Sequence, residues 1–187
     1  MVSLASLWLP ILLSAVGVFI ASSVIWMALP IHKKDYKKLG DKEAAVMAAV
    51  RSWGLGAGMY MFPFCDPKGP KDDPAMKKKI ADGPWGTIML MPRVWNMGRM
   101  MGLWVLNLLI LTTFVAYIAG HGLAPGAAYL RVFQLVGATA LLAYGGSSLT
   151  DSIWKGRPWS LLPGALFDAV VYALVTGAVF GALWPKV

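Results

Sequence analysis

Few residues in this chain could do chemistry, and Asp168 leads them. It is the one carboxylate set inside a long apolar run. A charge there is costly in hydrocarbon and marks a functional site by default. Arg99, Asn107, Ser147 and Ser148 fall at similar depth and are its expected partners. A small proton-coupled transporter using Asp168 is one function this residue allows. Proton transport normally needs more than one such group, so a structural carboxylate, protonated or paired near the interface, is the stronger expectation.

The two histidines offer less. His32 follows the first apolar run and His121 follows the second, which places them at opposite membrane faces. A bis-histidine haem needs both imidazoles at one depth, so the spacing excludes it within one chain. Either residue could ligate the magnesium of a chlorophyll-type pigment at a subunit interface, although hydrogen bonding is the commoner role. Eleven methionines, several paired as Met59/Met61, Met89/Met91 and Met100/Met101, suggest soft Cu(I) ligation. With one cysteine and no histidine nearby, adaptable packing explains them better. Cys65 stands alone, which rules out an internal disulfide and any CxxC site, and no histidine base accompanies it.

The segment from Asp151 to Trp159 is compact and polar-aromatic. Asp151 and Lys155 are spaced to pair on a helical turn. Trp154, Arg157 and Trp159 would then lie among lipid head groups as snorkelling and anchoring residues, or contact a quinone. No nucleotide-binding glycine motif, HExxH, GxSxG or carboxylate pair is present, and no internal repeat suggests inverted transporter halves. No cofactor is expected from these residues, with pigment or quinone the alternatives.

One packing signal is specific. Ala165, Ala169, Ala173, Gly177 and Gly181 recur every four residues as a ridge of small side chains. Such ladders allow close helix approach in membranes. The neighbour could be another helix of this chain or a second subunit.

The elements that must position these residues follow from composition. Of 187 residues, 58% are hydrophobic and 14% charged, with a formal net charge of +8. Soluble domains are about 45–50% apolar and about 25% charged, so a water-soluble enzyme is disfavoured. Four runs, about 7–29, 100–119, 132–149 and 161–184, are long enough to cross the bilayer as helices. The first is too long for a signal-peptide core and has no basic residue before it, so it reads as a span. The fold class is thus an all-α membrane protein, one membrane domain of four transmembrane helices with a long cytoplasmic loop over 30–99.

Thirteen of the 17 basic residues lie between Lys33 and Arg99. The positive-inside rule then puts that loop and the 150–160 connection in the cytoplasm, and both termini outside. Trp8 and Trp184 mark outer ends; Trp26, Trp95, Trp154 and Trp159 mark inner ends. Anionic lipid accounts for the positive charge, and nucleic acid is not required. Within the loop, Asp41 is the expected N-cap of a helix over Lys42–Trp53. Asp73 and Pro74 start a second over Pro74–Ala81. Gly54, Gly56, Gly58, Pro63, Pro67, Gly69 and Pro70 punctuate the rest. Apolar residues interleaved there, such as Met59–Phe64 and Ile88–Met91, point to packing on a membrane or partner surface.

The stretches Ser22–Met27, Tyr60–Cys65, Val115–Gly126 and Asp151–Trp159 together resemble a group of four-span bacterial membrane proteins with no assigned activity. The resemblance covers nearly the whole chain and implies an inner-membrane location. It transfers no site residues. The expected function is therefore a non-catalytic accessory or scaffold subunit of a larger bacterial membrane complex, respiratory or photosynthetic, partnered by other membrane subunits. A pigment- or quinone-binding subunit is the alternative.

Overall fold

The computed structural model describes every residue except Pro67, Lys71, Arg93, Trp95 and Val187. The anchoring role expected of Trp95, and the place of Pro67 in the Gly- and Pro-rich stretch, lie outside the described residues. The described elements are α1 (Trp8–Met27), α2 (Glu43–Ser52), β1 (Gly58–Phe62), α3 (Pro74–Asp82), β2 (Gly86–Leu90), α4 (Met97–Gly122), α5 (Tyr129–Trp154) and α6 (Leu162–Ala182). The chain divides into two compact units, one of Met1–Tyr36 with Asn96–Val187, the other Lys37–Trp95.

The first unit holds four helices long and apolar enough to span a membrane: Leu4–Met27, Met97–Gly122, Tyr129–Trp154 and Trp159–Ala182. Their ends differ from the apolar runs by a few residues, because local hydrogen bonds fix helix ends. The Asn96 side chain accepts from Arg99 N at 2.9 Å and starts α4 ahead of its apolar stretch. At the far end of α5, Lys155 lies 2.7 Å from Asp151 and carries the polar last turn past Leu149.

Apolar side chains cover the whole circumference of these helices. Val18, Leu108, Val115, Val136 and Phe180 are fully buried between them, while Ile20, Phe114 and Leu142 face outward. Helices apolar all round suit lipid rather than water. Two buried threonines bond within their own helix: Thr112 donates to Leu108 O at 2.8 Å and Thr176 to Tyr172 O at 2.7 Å.

Both termini are tied to the same end of the bundle. Val2 N donates to Gly120 O at 2.8 Å, Gly126 N to Pro185 O at 2.8 Å, and Trp184 Nε1 to Ala124 O at 3.0 Å. Gly120 is required at the first contact, since a Cβ there would lie 2.7 Å from Val2 O.

The ridge on α6 meets α5 of the same chain. A Cβ at Gly145 would lie 3.0 Å from Ala169 Cβ, one at Gly137 3.8 Å from Ala173 O, and one at Gly177 3.1 Å from Phe133. Gly181 faces the Tyr129 ring at 2.7 Å on the same measure. Ala165, the first member, lines a cavity together with Ala169. On another face of α6, Gly17 of α1 approaches Val175, with 2.9 Å left for a Cβ.

The second unit contains α2, α3 and an antiparallel pairing of β1 with β2, in register Gly58↔Leu90, Tyr60↔Ile88 and Phe62↔Gly86. This ribbon was not expected from sequence. Its strands are separated by residues 63–85, including α3, so no short turn signals a hairpin. Gly86 is fixed by the Phe62 ring, which a Cβ would meet at 2.6 Å. Asp73 caps α3 as expected, accepting from Ala75 N at 2.9 Å ahead of Pro74. Asp41 does not cap α2. It sits inside a 3₁₀ turn, Gly40–Lys42, that leads into the helix with no side-chain cap. None of the described residues of this unit is buried.

Overpacking the α5–α6 contact should cost about 1–3 kcal/mol. Thermal unfolding in detergent is expected to show Gly177→Leu destabilised, with Gly146→Leu unchanged because nothing lies within 4 Å of a Cβ there.

Candidate functional site

At the end of the four-helix unit away from the termini, α1 stops at Met27 and Pro30 follows. A turn then carries His32, with Lys33 N donating to Pro30 O and Asp35 N to His32 O at 3.1 Å. The turn brings His32 against the start of α6. Gly164 leaves the room: a Cβ there would lie 3.1 Å from His32 Cε1.

Asp168 meets His32 at this place. His32 Nε2 is 3.1 Å from Asp168 Oδ1, and its Nδ1 is 2.7 Å from Asp35 Oδ2. Trp26 Nε1 donates to Asp168 Oδ2 at 3.1 Å. The Trp26 ring also stacks on the imidazole, with centroids 4.0 Å apart and planes 3° from parallel. His32 and Asp168 are both buried. The partners of Asp168 are therefore His32 and Trp26, in place of Arg99, Asn107, Ser147 and Ser148. Sequence spacing missed this because the pair is separated by 136 positions. A signal did exist: four consecutive spans bring the end of the first and the start of the fourth to the same end of the helices.

A carboxylate on each ring nitrogen favours the doubly protonated imidazolium, which donates to both. Burial works to lower the His32 pKa. The hydrogen bonds from Asp35 and Asp168, with their negative charges, outweigh it and hold the pKa above the usual 6.5. With both nitrogens engaged, His32 has no free lone pair for a pigment magnesium.

Beside this cluster lies a cavity of about 670 Å³, bounded by α1, α4, α5 and α6. Among the described residues, Asp168 is the only charged side chain on its wall. Met27, Met97 and Met101 supply flexible apolar surface there, which is what these methionines do in the fold. Trp26, Trp104, Tyr144 and Tyr172 supply rings. Trp104 Nε1 donates to Ser22 Oγ at 3.1 Å, while Ser22 and Ser23 both donate to Phe19 O. Tyr144 packs edge-on against Tyr172 at 5.5 Å, and its buried hydroxyl has no hydrogen-bond partner among the described residues.

The other expected site residues lie off this wall. His121 is exposed near the opposite end of α4, with Nδ1 2.8 Å from Tyr117 O. Trp154 and Trp159 are exposed, and Arg157 is half-buried with its backbone N on Asp151 O. Cys65 is an exposed free thiol in the second unit. Among the described residues, no three His, Cys, Asp or Glu side chains are arranged to hold a metal ion.

The raised His32 pKa ties this cluster to pH. Folding favours protonated His32, so its stabilisation is complete below pH 6.5 and is lost as pH rises through the higher folded-state value. Unfolding temperature measured against pH should fall across that range, and His32→Gln should flatten the dependence. His32→Ala, which leaves Asp168 without its cationic partner, should cost about 3–5 kcal/mol near neutrality. No protein-family model, curated protein or solved structure matches the chain, so its function is read from its own residues.

Proposed function

We propose that this protein is a non-catalytic subunit of the bacterial inner membrane that holds an amphiphilic small molecule inside its four-helix unit. One observation carries the reading: the cavity beside Asp168, about 670 Å³, has a largely apolar and aromatic wall. Volumes of about 300–1,000 Å³ with a few convergent polar groups are typical of small-molecule sites. The residues beside it are engaged in positioning. Asp168 and His32 are held by each other, by Trp26 and by Asp35, and among the described residues no nucleophile–base pair lines the cavity.

The basic 33–99 stretch supports an orientation with both termini outside and residues 37–95 in the cytoplasm. Anionic lipid head groups and neighbouring subunits are the partners of that side.

A second reading, an accessory or scaffold subunit of a larger respiratory or photosynthetic complex, is favoured by the Lys37–Trp95 unit. Met59, Met61, Phe64, Trp85 and Met89 are each more than half exposed there. A two-stranded ribbon is marginal by itself in water, and exposed apolar surface of this kind marks an interaction site.

Native mass spectrometry of the protein purified in mild detergent separates the two. The first reading expects a small-molecule adduct that disappears in Ala165→Phe, where a ring fills the cavity. The second expects a co-purifying membrane protein, released when Met59, Met61 and Met89 are changed together to Ser. A protein that runs alone and empty contradicts both.

A further inference from the structure

We infer that the molecule held in the cavity is an amphiphilic organic cation, an amine or quaternary ammonium with an apolar body. The inference rests on the cavity being a binding site and adds the chemistry of its occupant.

The wall offers a charged acceptor, while its indole N–H groups and the serine hydroxyls of α1 are engaged. Trp26 N–H is committed to Asp168, Trp104 N–H to Ser22, and the Ser22 and Ser23 hydroxyls to Phe19 O. A quinone carbonyl would need donors, and beyond these engaged groups the Tyr144 hydroxyl is left without a partner among the described residues, so a quinone is tested against the cation. Asp168 is different. A carboxylate has about four lone-pair sites, and the contacts to His32 and Trp26 use one on each oxygen. The remaining lone pairs suit a ligand that donates a hydrogen bond or carries positive charge.

Charge points the same way. With His32 protonated between Asp35 and Asp168, the cluster keeps one uncompensated negative charge. Among the described residues the cavity wall carries no Lys, Arg or His to balance an anionic ligand, and Asp168 would repel one. A bound cation would bring the site to neutrality.

The rings complete the match. Aromatic faces attract cations through their quadrupoles, and rings grouped around an acidic residue are a recurring way to recognise ammonium groups. Trp104 and Tyr172 lie 6.3 Å apart and Tyr144 and Tyr172 5.5 Å apart, so three rings cluster on this wall. Met27, Met97 and Met101 can mould to an apolar body of variable shape.

Isothermal titration of the full-length protein in zwitterionic nanodiscs tests this with three probes. They are benzyltributylammonium, its uncharged isostere with carbon in place of nitrogen, and a short-chain benzoquinone. The inference expects the cation to bind at least ~10-fold more tightly than the isostere. It also expects this preference to vanish in Asp168→Asn and all binding to vanish in Ala165→Phe. The wild-type comparison of cation with isostere decides the matter even if Asp168→Asn fails to fold. Equal or tighter binding of the isostere or the quinone overturns the cationic ligand while keeping the cavity as a site. Binding of no probe overturns the site itself.

Discussion

A carboxylate cannot sit uncompensated in an apolar helix, and much of this fold follows from how Asp168 is compensated. Stripping its hydration near the bilayer is affordable only if donors replace the lost water. His32 and Trp26 do so, and both come from the far end of the chain. Satisfying one side chain therefore fixes several things at once. The end of α1 is held beside α6, the turn after Pro30 is folded back, and the imidazole is stacked flat on the indole. Asp35 completes the arrangement by accepting a hydrogen bond from the second imidazole nitrogen. A buried network is costly when half satisfied, which is why these groups behave as one unit.

Close packing elsewhere gives that cluster a rigid frame. Without a hydrophobic drive between helices in lipid, association depends on how near the backbones approach. The alanines and glycines of α6 allow that approach to α5, and Gly17 allows it to α1. Phe133 and Tyr129 fill the space that Gly177 and Gly181 leave open. At Ala165 the corresponding space is not filled by a neighbour, and it forms part of the cavity. Ala169, which meets Gly145 on one side, lines the same cavity on another, so small residues of this ridge give both contact and volume. What differs is the partner opposite.

The Lys37–Trp95 unit is built by other means. Its helices are set by local signals, an Asp73 cap with Pro74, and ion pairs of Lys77 with Asp72 and Lys78 with Asp82. Those pairs are solvent-exposed and individually worth little. The β1–β2 ribbon adds backbone pairing and the seat of Phe62 on Gly86. None of the described residues of this unit is buried, so its exposed methionines and aromatics are best understood through what they face.

The sequence alone determined the four helices long and apolar enough to span a membrane and the Asp73 cap, because each is written in contiguous residues. Twenty apolar positions in a row need no tertiary information to declare a helix in lipid. The spacing of Ala165 to Gly181 likewise declared a packing face, though not which helix would meet it. Tertiary structure decided whatever depends on residues distant in the chain: the pairing of Asp168 with His32, the strand pairing across residues 63–85, α5 as the neighbour of α6, and the cavity. Asp41 shows the limit at short range, where a good capping residue was overridden by a 3₁₀ turn leading into the helix. The physical reason is the same throughout. Local signals fix dihedral angles and helix ends, whereas a charge partner or a void is set by which surfaces the folded helices bring together.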